Sequence, residues 1–420
     1  MSTTQIIIIG AYACILLVWV ARHFVISMTY RATPLLSPCH PRYQDPHPPL
    51  VSVLVPAKDE EKSIATCVRS ILNQNYTNLE VLVIDDRSTD RTPDVVRELA
   101  ALDSRVRLIS VKTLPPGWTG KNNALTLGVR EAKGEWLLFV DSDTEHSPEN
   151  LSVLTEYARR EQAEMVSVLP RWRNDSFWER VAQPLAALLL ILKSPPHRVN
   201  NDADTGTAFA NGQYILIRRD TYGAIGGHTC VRDKFVEDIH LARVAKTAGH
   251  RVRLVRAPEL TSTRMYTSLR SLVSGWSRIL YSGYDLSVLQ LTVLLGGLLV
   301  FSLSAYGVLA VTASSMALGH STVFVRALLG MSLTHVALQF TVMARIYAIT
   351  ASQKAYVVFY GLAAMVMAWV LISALFKCFT HRIVWRGTDY YHLQEQEPVI
   401  LRMPNMDLVR PIDRPLSQSA

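Results

Sequence analysis

The chain has 420 residues, of which 49% are hydrophobic and 19% are charged, and its formal net charge is +8. This length leaves room for one large domain or two ordinary ones. Basic residues cluster beside apolar segments, so the positive charge indicates an anionic membrane surface and needs no nucleic acid to explain it. The five cysteines show no paired spacing, which argues against a zinc site and a disulfide framework.

The N-terminal segment predicts a transmembrane anchor over residues 1–30, because the first 21 residues carry no charged side chain. A cleavable signal peptide is the alternative, but no basic residue precedes the apolar run and no clear small-residue cleavage site follows it. Arg22, His23 and Arg31 come after the run, and the positive-inside rule then places the following domain in the cytosol. We therefore expect an integral membrane protein, in the cell inner membrane if the chain is bacterial.

The middle of the chain predicts an α/β domain over residues 50–262, after a stiff proline-rich linker at 31–49. Apolar runs predict strands that alternate with helices in the first half of this domain, and a glycine-ended helix between two strands in the second half. The predicted strands lie at 50–56, 79–85, 106–111, 135–143, within 206–219 and at 251–257, and the helix of the second half at 236–249.

The last third of the chain predicts membrane-associated helices. Over 263–285, leucines, Val273, Ile279 and Trp276 recur at helical spacing with arginines interspersed, which indicates an amphipathic helix in the membrane interface with Trp276 at headgroup depth. Residues 286–378 predict about three transmembrane helices, and 379–420 a polar tail. A re-entrant turn within 286–325 and an interfacial dip of 177–194 are both compatible with the pattern.

Carboxylates follow three of the predicted strands. They form the groups Asp59-Glu60-Glu61, Asp85-Asp86 and Asp141/Asp143. Ligands bind outside the carboxyl ends of strands in an open α/β sheet, so these acids indicate a site for a metal-complexed, polyphosphorylated ligand. The oxygen donors suit Mg²⁺ or Mn²⁺, which can neutralise a diphosphate leaving group. An isolated Asp-x-Asp is usually a solvated turn; here the neighbouring acids favour the site.

Three residues in the second half have both a structural and a functional interpretation. Asp238 opens a helix, where its charge could complement the helix dipole or could act as a general base toward an acceptor hydroxyl. Trp276 could simply anchor a helix in the membrane, or it could belong to the catalytic site and guide a lipid acceptor toward it. Arg278 could do the same or could contact a diphosphate, for which a guanidinium group is well suited.

The ordered motifs PAKDEE (56–61), VIDDRSTD (83–90), WTGKNNAL (118–125), FVDSD (139–143), EDIHLA (237–242) and GWSR (275–278) resemble those of the family 2 glycosyltransferases with the GT-A fold. The chain is most similar to the membrane-bound branch that includes ceramide glucosyltransferase-like, hopanoid-associated and carotenoid glycosyltransferases. WRGTDYY at 385–391 resembles a sequence near the end of that branch. Family analogy expects this motif beside the active site, whereas three C-terminal crossings would put it on the other side of the membrane.

The resemblance implies a role for each matched residue. Pro56, Asp59 and Glu60 would line the nucleotide pocket, although an asparagine is commoner than Asp59 there. Asp85 and Asp86 would contact the base and ribose, and Lys121 would contact the nucleotide or its phosphates. Asp141 and Asp143 would bind the metal and the donor, with Asp143 the closer metal ligand. Asp238 would be the catalytic base. The family places an arginine directly before the tryptophan, but Gly275 precedes Trp276, and Arg278 is the candidate substitute.

The resemblance thus implies an inverting transferase that moves a sugar from a nucleotide-sugar donor to a hydroxyl group of a lipid or isoprenoid acceptor. A UDP-sugar is the favoured donor, and GDP-mannose stays open. A processive polysaccharide synthase is the alternative enzyme, although the glycine before Trp276 weighs mildly against it. A lipid transporter with a nucleotide-sugar-sensing domain is the alternative of a different class, and a set of catalytic acids would serve no purpose in it.

Overall fold

A computed structural model describes residues 1–283, 287–380, 383–385 and 387–390. The chain begins with a long helix, α1 (Thr3–Ala32), whose C-terminal end is attached to the α/β domain. The side-chain amide of Asn200 donates to the carbonyl of Ala32 at 3.1 Å, and the amide of Leu36 donates to the carbonyl of Arg256 at 2.8 Å. The first helix and the domain are therefore joined by hydrogen bonds as well as by the chain.

The domain is built on a seven-stranded sheet, which confirms the predicted α/β fold. The strands of the domain are β1 (Val51–Ala57), β2 (Leu79–Asp86), β3 (Val106–Val111), β4 (Trp136–Phe139), β5 (Thr144–His146), β6 (Met165–Leu169), β7 (Arg171–Trp172), β8 (Ile215–Arg218), β9 (Val252–Arg256) and β10 (Thr261–Thr263). The order in the large sheet is β3-β2-β1-β4-β8-β6-β9, and β5, β10 and β7 form a small second sheet. Because β2, β1 and β4 run parallel, the acids that follow them meet at one edge.

Both faces of the large sheet are buried, which explains why its strands read as continuous apolar runs. Val53, Val81 and Leu138 belong to the core on one face. The neighbouring residues in the same strands, Leu54 and Leu82, belong to the core on the other face, as the alternation of side chains along a strand requires.

Helices cover the sheet and then continue into an apolar bundle. The α-helices are α2 (Ile64–Leu72), α3 (Thr92–Leu102), α4 (Gly120–Glu131), α5 (Asn150–Arg160), α6 (Phe177–Lys193), α7 (Pro196–Val199), α8 (Arg219–Ala224), α9 (Glu237–Thr247), α10 (Leu269–Gly283), α11 (Val288–Leu298), α12 (Ser304–Ala317), α13 (Val323–Ile349) and α14 (Tyr360–Thr380), and two short strands follow, β11 (Val384–Trp385) and β12 (Thr388–Asp389). Two 3₁₀-helices lie at Gly227–Val231 and Lys354–Phe359. A π-helical segment, Leu299–Leu303, joins α11 to α12 without a break. Residues 287–317 therefore contain no re-entrant turn.

Four helices in the described part of the chain are long and apolar enough to cross a membrane. These helical segments extend over Thr3–Ala32, Val288–Ala317, Val323–Ile349 and Lys354–Thr380. Three of the four follow the α/β domain.

The structure corrects the predicted environment of Trp276. The helix that carries it, α10, packs against α14, and the Trp276 side chain is only 1% exposed. Its ring lies 6.0 Å from that of Trp172 and 6.4 Å from that of Tyr266. The apolar side of α10, which the sequence analysis placed in the membrane interface, is therefore covered by protein. Trp276 does not lie among lipid headgroups. The predicted end of this helix at 284–285 falls outside the described residues.

The segment from 350 to 380 begins at the α/β domain and ends against α10, the helix that follows it. At its start, the hydroxyl of Ser352 accepts a hydrogen bond from Asn174 at 3.3 Å. Near its end, Lys377 donates to the hydroxyl of Ser277 in α10 at 2.9 Å. Between these points Tyr360 donates to Ser302 at 2.7 Å, inside the apolar bundle. The segment therefore enters the bundle and returns, which brings Ile383 and Tyr390 to the domain. Arg386 and the part of the predicted polar tail from Tyr391 onward lie outside the described residues.

This arrangement predicts a topology that cysteine labelling can test. In a background without the five native cysteines, Gln353→Cys and Thr380→Cys should react with a membrane-impermeant maleimide from the same side of the membrane. Ser321→Cys, in the turn between α12 and α13, should react only from the opposite side, because one spanning segment lies between it and the domain in each direction along the chain. Labelling of Gln353→Cys and Thr380→Cys from opposite sides would contradict the returning path.

Candidate active site

A cavity of about 600 Å³ lies where the carboxyl edge of the sheet meets the helical bundle. Acidic and basic side chains from the strand ends, α4 and α9 line one part of it. Apolar side chains from α6, α10 and α13 line another part, among them Leu190, Ile191, Ile279 and Ile349. The cavity therefore joins a polar surface of the α/β domain to an apolar surface supplied by helices next to the membrane spans.

Lys121 lies at the centre of the polar part. It follows Gly120 in the first turn of α4, where Thr119 caps the helix by accepting the amide of Asn122 at 3.3 Å. Its ammonium group lies 2.7 Å from a carboxylate oxygen of Asp141 and 2.7 Å from one of Glu237. Burial alone would lower the pKa of Lys121, but the surrounding carboxylates raise it above its ordinary value. Lys121 therefore keeps its positive charge and forms ion pairs with two carboxylates at the same time.

Asp238 is the buried acid next to this cation. One of its carboxylate oxygens accepts the amide of Gly212 at 2.7 Å and the other accepts the amide of Ile239 at 2.8 Å. Burial, and then the charge of Glu237, raise the pKa of Asp238 to about 7, although Lys121 acts in the opposite direction. A carboxyl group with this pKa exchanges a proton near neutral pH, which is the property that a general base requires.

Asp141 and Asp143 follow β4 and line the cavity with Lys121. The loop that carries them rests on Cys67, whose thiol contacts the carbonyl of Asp141 at 3.7 Å; burial raises the pKa of Cys67 to about 12, so it stays a neutral thiol. In the described ranges, no three His, Cys, Asp or Glu side chains are grouped as metal ligands. Two carboxylates fit Mg²⁺ or Mn²⁺ when further oxygen ligands come from a bound phosphate or water.

Two of the residues assigned to the nucleotide pocket lie elsewhere. The carboxylate of Asp59 accepts the amide of Thr89 at 2.7 Å, and that of Asp85 accepts the amide of Ser88 at 3.3 Å. These bonds order the loop after β2, and neither carboxylate lines the cavity. Asp59 also has a positive φ of 54°, in the left-handed region where asparagine and aspartate are the commonest residues after glycine.

The other sequence-assigned residues come together at the cavity. They are Pro56, Glu60, Asp86, Lys121, Asp141, Asp143, Asp238, Trp276 and Arg278. The glycine before Lys121 is required by Asp86, because a Cβ atom on Gly120 would lie 2.1 Å from a carboxylate oxygen of Asp86. The close approach of α4 to the end of β2 therefore depends on this glycine.

Several lining residues are not identified by the sequence patterns. Glu237 holds Lys121, and Lys377 reaches the cavity from α14. Tyr390 accepts the amide of Gly120 at 3.2 Å, and its ring lies edge-on at 5.0 Å from that of Phe235. The WRGTDYY motif, which contains Tyr390, was the available signal for that residue. No comparable signal pointed to Lys377, because a lysine at the end of an apolar run is usually interpreted as a residue that flanks a transmembrane helix at the membrane surface.

Comparison with known proteins agrees with the motifs. The family model described as "Glycosyl transferase family 2" matches residues 52–226. The 4,4'-diaponeurosporenoate glycosyltransferases of Staphylococcus haemolyticus (strain JCSC1435) and Staphylococcus aureus (strain USA300) are 24% and 26% identical over 236 and 238 residues. Each alignment covers 56% of this chain and 61% of the relative, so the chain matches about three-fifths of the length of these relatives.

Among solved structures, the mannosyltransferase PcManGT from Pyrobaculum calidifontis in complex with GDP-Man and Mn²⁺ is similar with a TM-score of 0.49. It shares 19% sequence identity with this chain, and the superposition covers 88% of this chain and 99% of that one.

The raised pKa of Asp238 predicts a pH-dependent stability. Between about pH 4 and pH 7 the folded protein holds a proton on Asp238 that the unfolded chain has lost, so this residue's contribution to stability falls as the pH rises through that range. The thermal midpoint of Asp238→Asn minus that of wild type should therefore increase as the pH rises from 5 to 8, measured by unfolding in detergent. Asp220→Asn, at a half-exposed ion pair, is the control that should show no such gain. A parallel shift of wild type and Asp238→Asn would contradict the assignment.

Proposed function

Since residues 52–226 match the model of the family 2 glycosyltransferases, we propose that this chain is a membrane-bound inverting glycosyltransferase that moves a sugar from a nucleotide-diphosphate sugar to a hydroxyl group of a lipid acceptor. One observation carries the proposal. A single cavity contains the carboxylates of the strand ends, the poised acid Asp238 and the apolar side chains of the helices next to the membrane spans. A water-soluble donor and an apolar acceptor can both reach such a cavity.

The proposed reaction is a single displacement at the anomeric carbon. The acceptor oxygen forms the new bond to that carbon while the bond from the carbon to the diphosphate oxygen breaks, and the diphosphate leaves with the bonding electrons. Asp238 receives the proton of the acceptor hydroxyl, for which its pKa of about 7 is suitable. Its two backbone hydrogen bonds hold the carboxylate in one orientation, which favours proton transfer along one direction.

The donor is assigned to the polar part of the cavity. Pro56, Glu60 and Asp86 line the wall for the nucleotide, and Lys121 lies where it can face its phosphates. Asp141 and Asp143 would hold Mg²⁺ or Mn²⁺, which when bound would neutralise negative charge on the diphosphate. The resemblance to the lipid-modifying branch favours a UDP-sugar. In the same proposal, residues 50–262 form the catalytic domain on the cytosolic side.

The acceptor is assigned to the apolar part of the cavity. Ile279 of α10, Leu190 of α6 and Ile349 of α13 present aliphatic surface there, and α13 is long and apolar enough to span a bilayer. An acceptor with an apolar chain could keep that chain among lipid tails and bring its hydroxyl group to Asp238. Both matched Staphylococcus relatives are named as 4,4'-diaponeurosporenoate glycosyltransferases, that is, as carotenoid glycosyltransferases, which supports an apolar acceptor for this chain.

The proposal is tested by lipid mass spectrometry after expression in a host that lacks such glycolipids. We expect new hexosylated lipids with the wild type, and a rate of lipid glycosylation lowered about 10²–10⁴-fold by Asp238→Asn, the range for loss of a general base. Donor affinity should change little in that variant. Absence of any new glycolipid when donor and host lipids are both present would contradict the function, whereas full activity of Asp238→Asn would contradict only the role of Asp238.

A divalent cation should be required through Asp143. Asp143→Asn should abolish transfer and should weaken donor binding mainly when Mg²⁺ or Mn²⁺ is present, because the lost carboxylate is the expected cation ligand. Donor binding with and without the metal, and transfer after treatment with EDTA, are the measurements. Glu145→Gln, two residues later in an ion pair with Arg173, is the matched control. Wild-type activity undiminished by EDTA would remove the metal from the proposal.

A further inference from the structure

Helix α10 has a glycine, Gly275, at the position where the resemblance to family 2 glycosyltransferases implies an arginine. A Cβ atom on Gly275 would lie 2.3–2.5 Å from the ring of Tyr266, so no larger residue fits while Tyr266 occupies this place. Tyr266 is itself buried, at 8% exposure, and lines the cavity. The positive charge that an arginine would bring to this part of the cavity must therefore come from another position.

A lysine from the membrane bundle reaches the same place. Lys377 lies near the C-terminal end of α14, and its ammonium group donates to the hydroxyl of Ser277 at 2.9 Å. Ser277 lies between Trp276 and Arg278 in α10, and Lys377 lines the cavity together with both of these neighbours. The contact with Ser277 is to a neutral hydroxyl group, which fixes the ammonium in position without neutralising its charge.

Lys377 and Arg278 place two positive charges beside the same stretch of α10. The guanidinium of Arg278 is close enough to repel the ammonium of Lys377. The ammonium of Lys377 is held by a neutral hydroxyl group, so its charge can attract a bound anion, and such an anion would also offset the repulsion by Arg278. Asp143 and Asp238 line the same cavity, so the pair faces the space where the proposed reaction releases its leaving group.

We propose that Lys377 is a donor-binding residue that contacts the diphosphate and, with Arg278, supplies the charge for which α10 has no arginine. This inference rests on the proposed function and deepens it. It makes the catalytic site incomplete without α14, because a helix of the membrane bundle contributes a phosphate ligand to the cavity that also holds the carboxylates of the α/β domain. The same chemistry could come from an anionic group on the acceptor, and the experiment separates these two sources.

The experiment measures binding of UDP in the presence of Mn²⁺ by calorimetry, with the full-length protein in detergent and no acceptor lipid. Lys377→Met keeps the length of the side chain and removes the charge, and it should bind UDP about 10- to 100-fold more weakly, the range for one lost charged hydrogen bond. Hydrolysis of UDP-sugar by water should fall at least as much, because the leaving group loses a stabilising charge. Lys377→Arg should recover most of the UDP affinity.

The matched control is Lys354→Met, at the other end of the same apolar segment. Lys354 is exposed and does not line the cavity, so its loss should leave UDP affinity and donor hydrolysis unchanged. Thermal midpoints of all variants show whether the fold is intact, and a folded Lys377→Arg keeps the comparison valid if Lys377→Met is unstable.

Two outcomes would overturn the inference. UDP affinity and donor hydrolysis equal to wild type in Lys377→Met would show that Lys377 does not contact the diphosphate. A variant that binds UDP normally and only needs more lipid acceptor would assign the anion to the acceptor instead. Failure of the wild-type protein to bind either UDP or GDP would overturn the proposed function itself, which distinguishes that failure from an error about Lys377.

Discussion

The candidate site depends on one buried ammonium group, that of Lys121. Three carboxylates crowd around it, Asp141 from the end of β4 and Glu237 and Asp238 from the start of α9. Without a cation between them, these acids would repel each other in a place from which most water is excluded. Removal of one partner from a buried ion pair typically costs about 3–5 kcal/mol. The charge that organises the site therefore also holds two distant parts of the domain together.

Hydrogen bonds around the start of α4 fix the position of this lysine. The side-chain amide of Asn122 donates to the carbonyls of Val231 at 2.7 Å and Lys234 at 3.0 Å, in the segment that leads to α9. The amide of Thr119 donates to the carbonyl of Arg232 at 2.8 Å. Neutral backbone contacts thus set the distance between α4 and α9, and Lys121 needs only to extend into the space between their acids.

The sequence predicted the sheet well and the bundle's contacts poorly, for a physical reason. Buried parallel strands such as β1 must be apolar on both faces, so their sequences identify them. The apolar side of an amphipathic helix must be buried, but its periodicity does not show whether lipid or protein buries it. For α10 the sequence analysis expected lipid, and the structure shows protein. The carboxylate of Asp59 bonds to the loop after β2 and does not line the cavity, which the sequence could not show because the position of an acid at a strand end does not determine where its carboxylate points.

The charges around the cavity have a second consequence for the proposed base. Burial and Glu237 already raise the pKa of Asp238 to about 7, and a bound nucleotide diphosphate would bring further negative charge into the same cavity. That charge alone would raise the pKa further and leave Asp238 protonated, and thus inactive as a base, at neutral pH. Positive groups beside the diphosphate are therefore needed both to stabilise the leaving group and to keep the base ionised until the acceptor arrives. In the proposed mechanism Lys121 acts from the domain and Lys377 from the membrane bundle, so the positive charge that binds the donor also keeps Asp238 ionised.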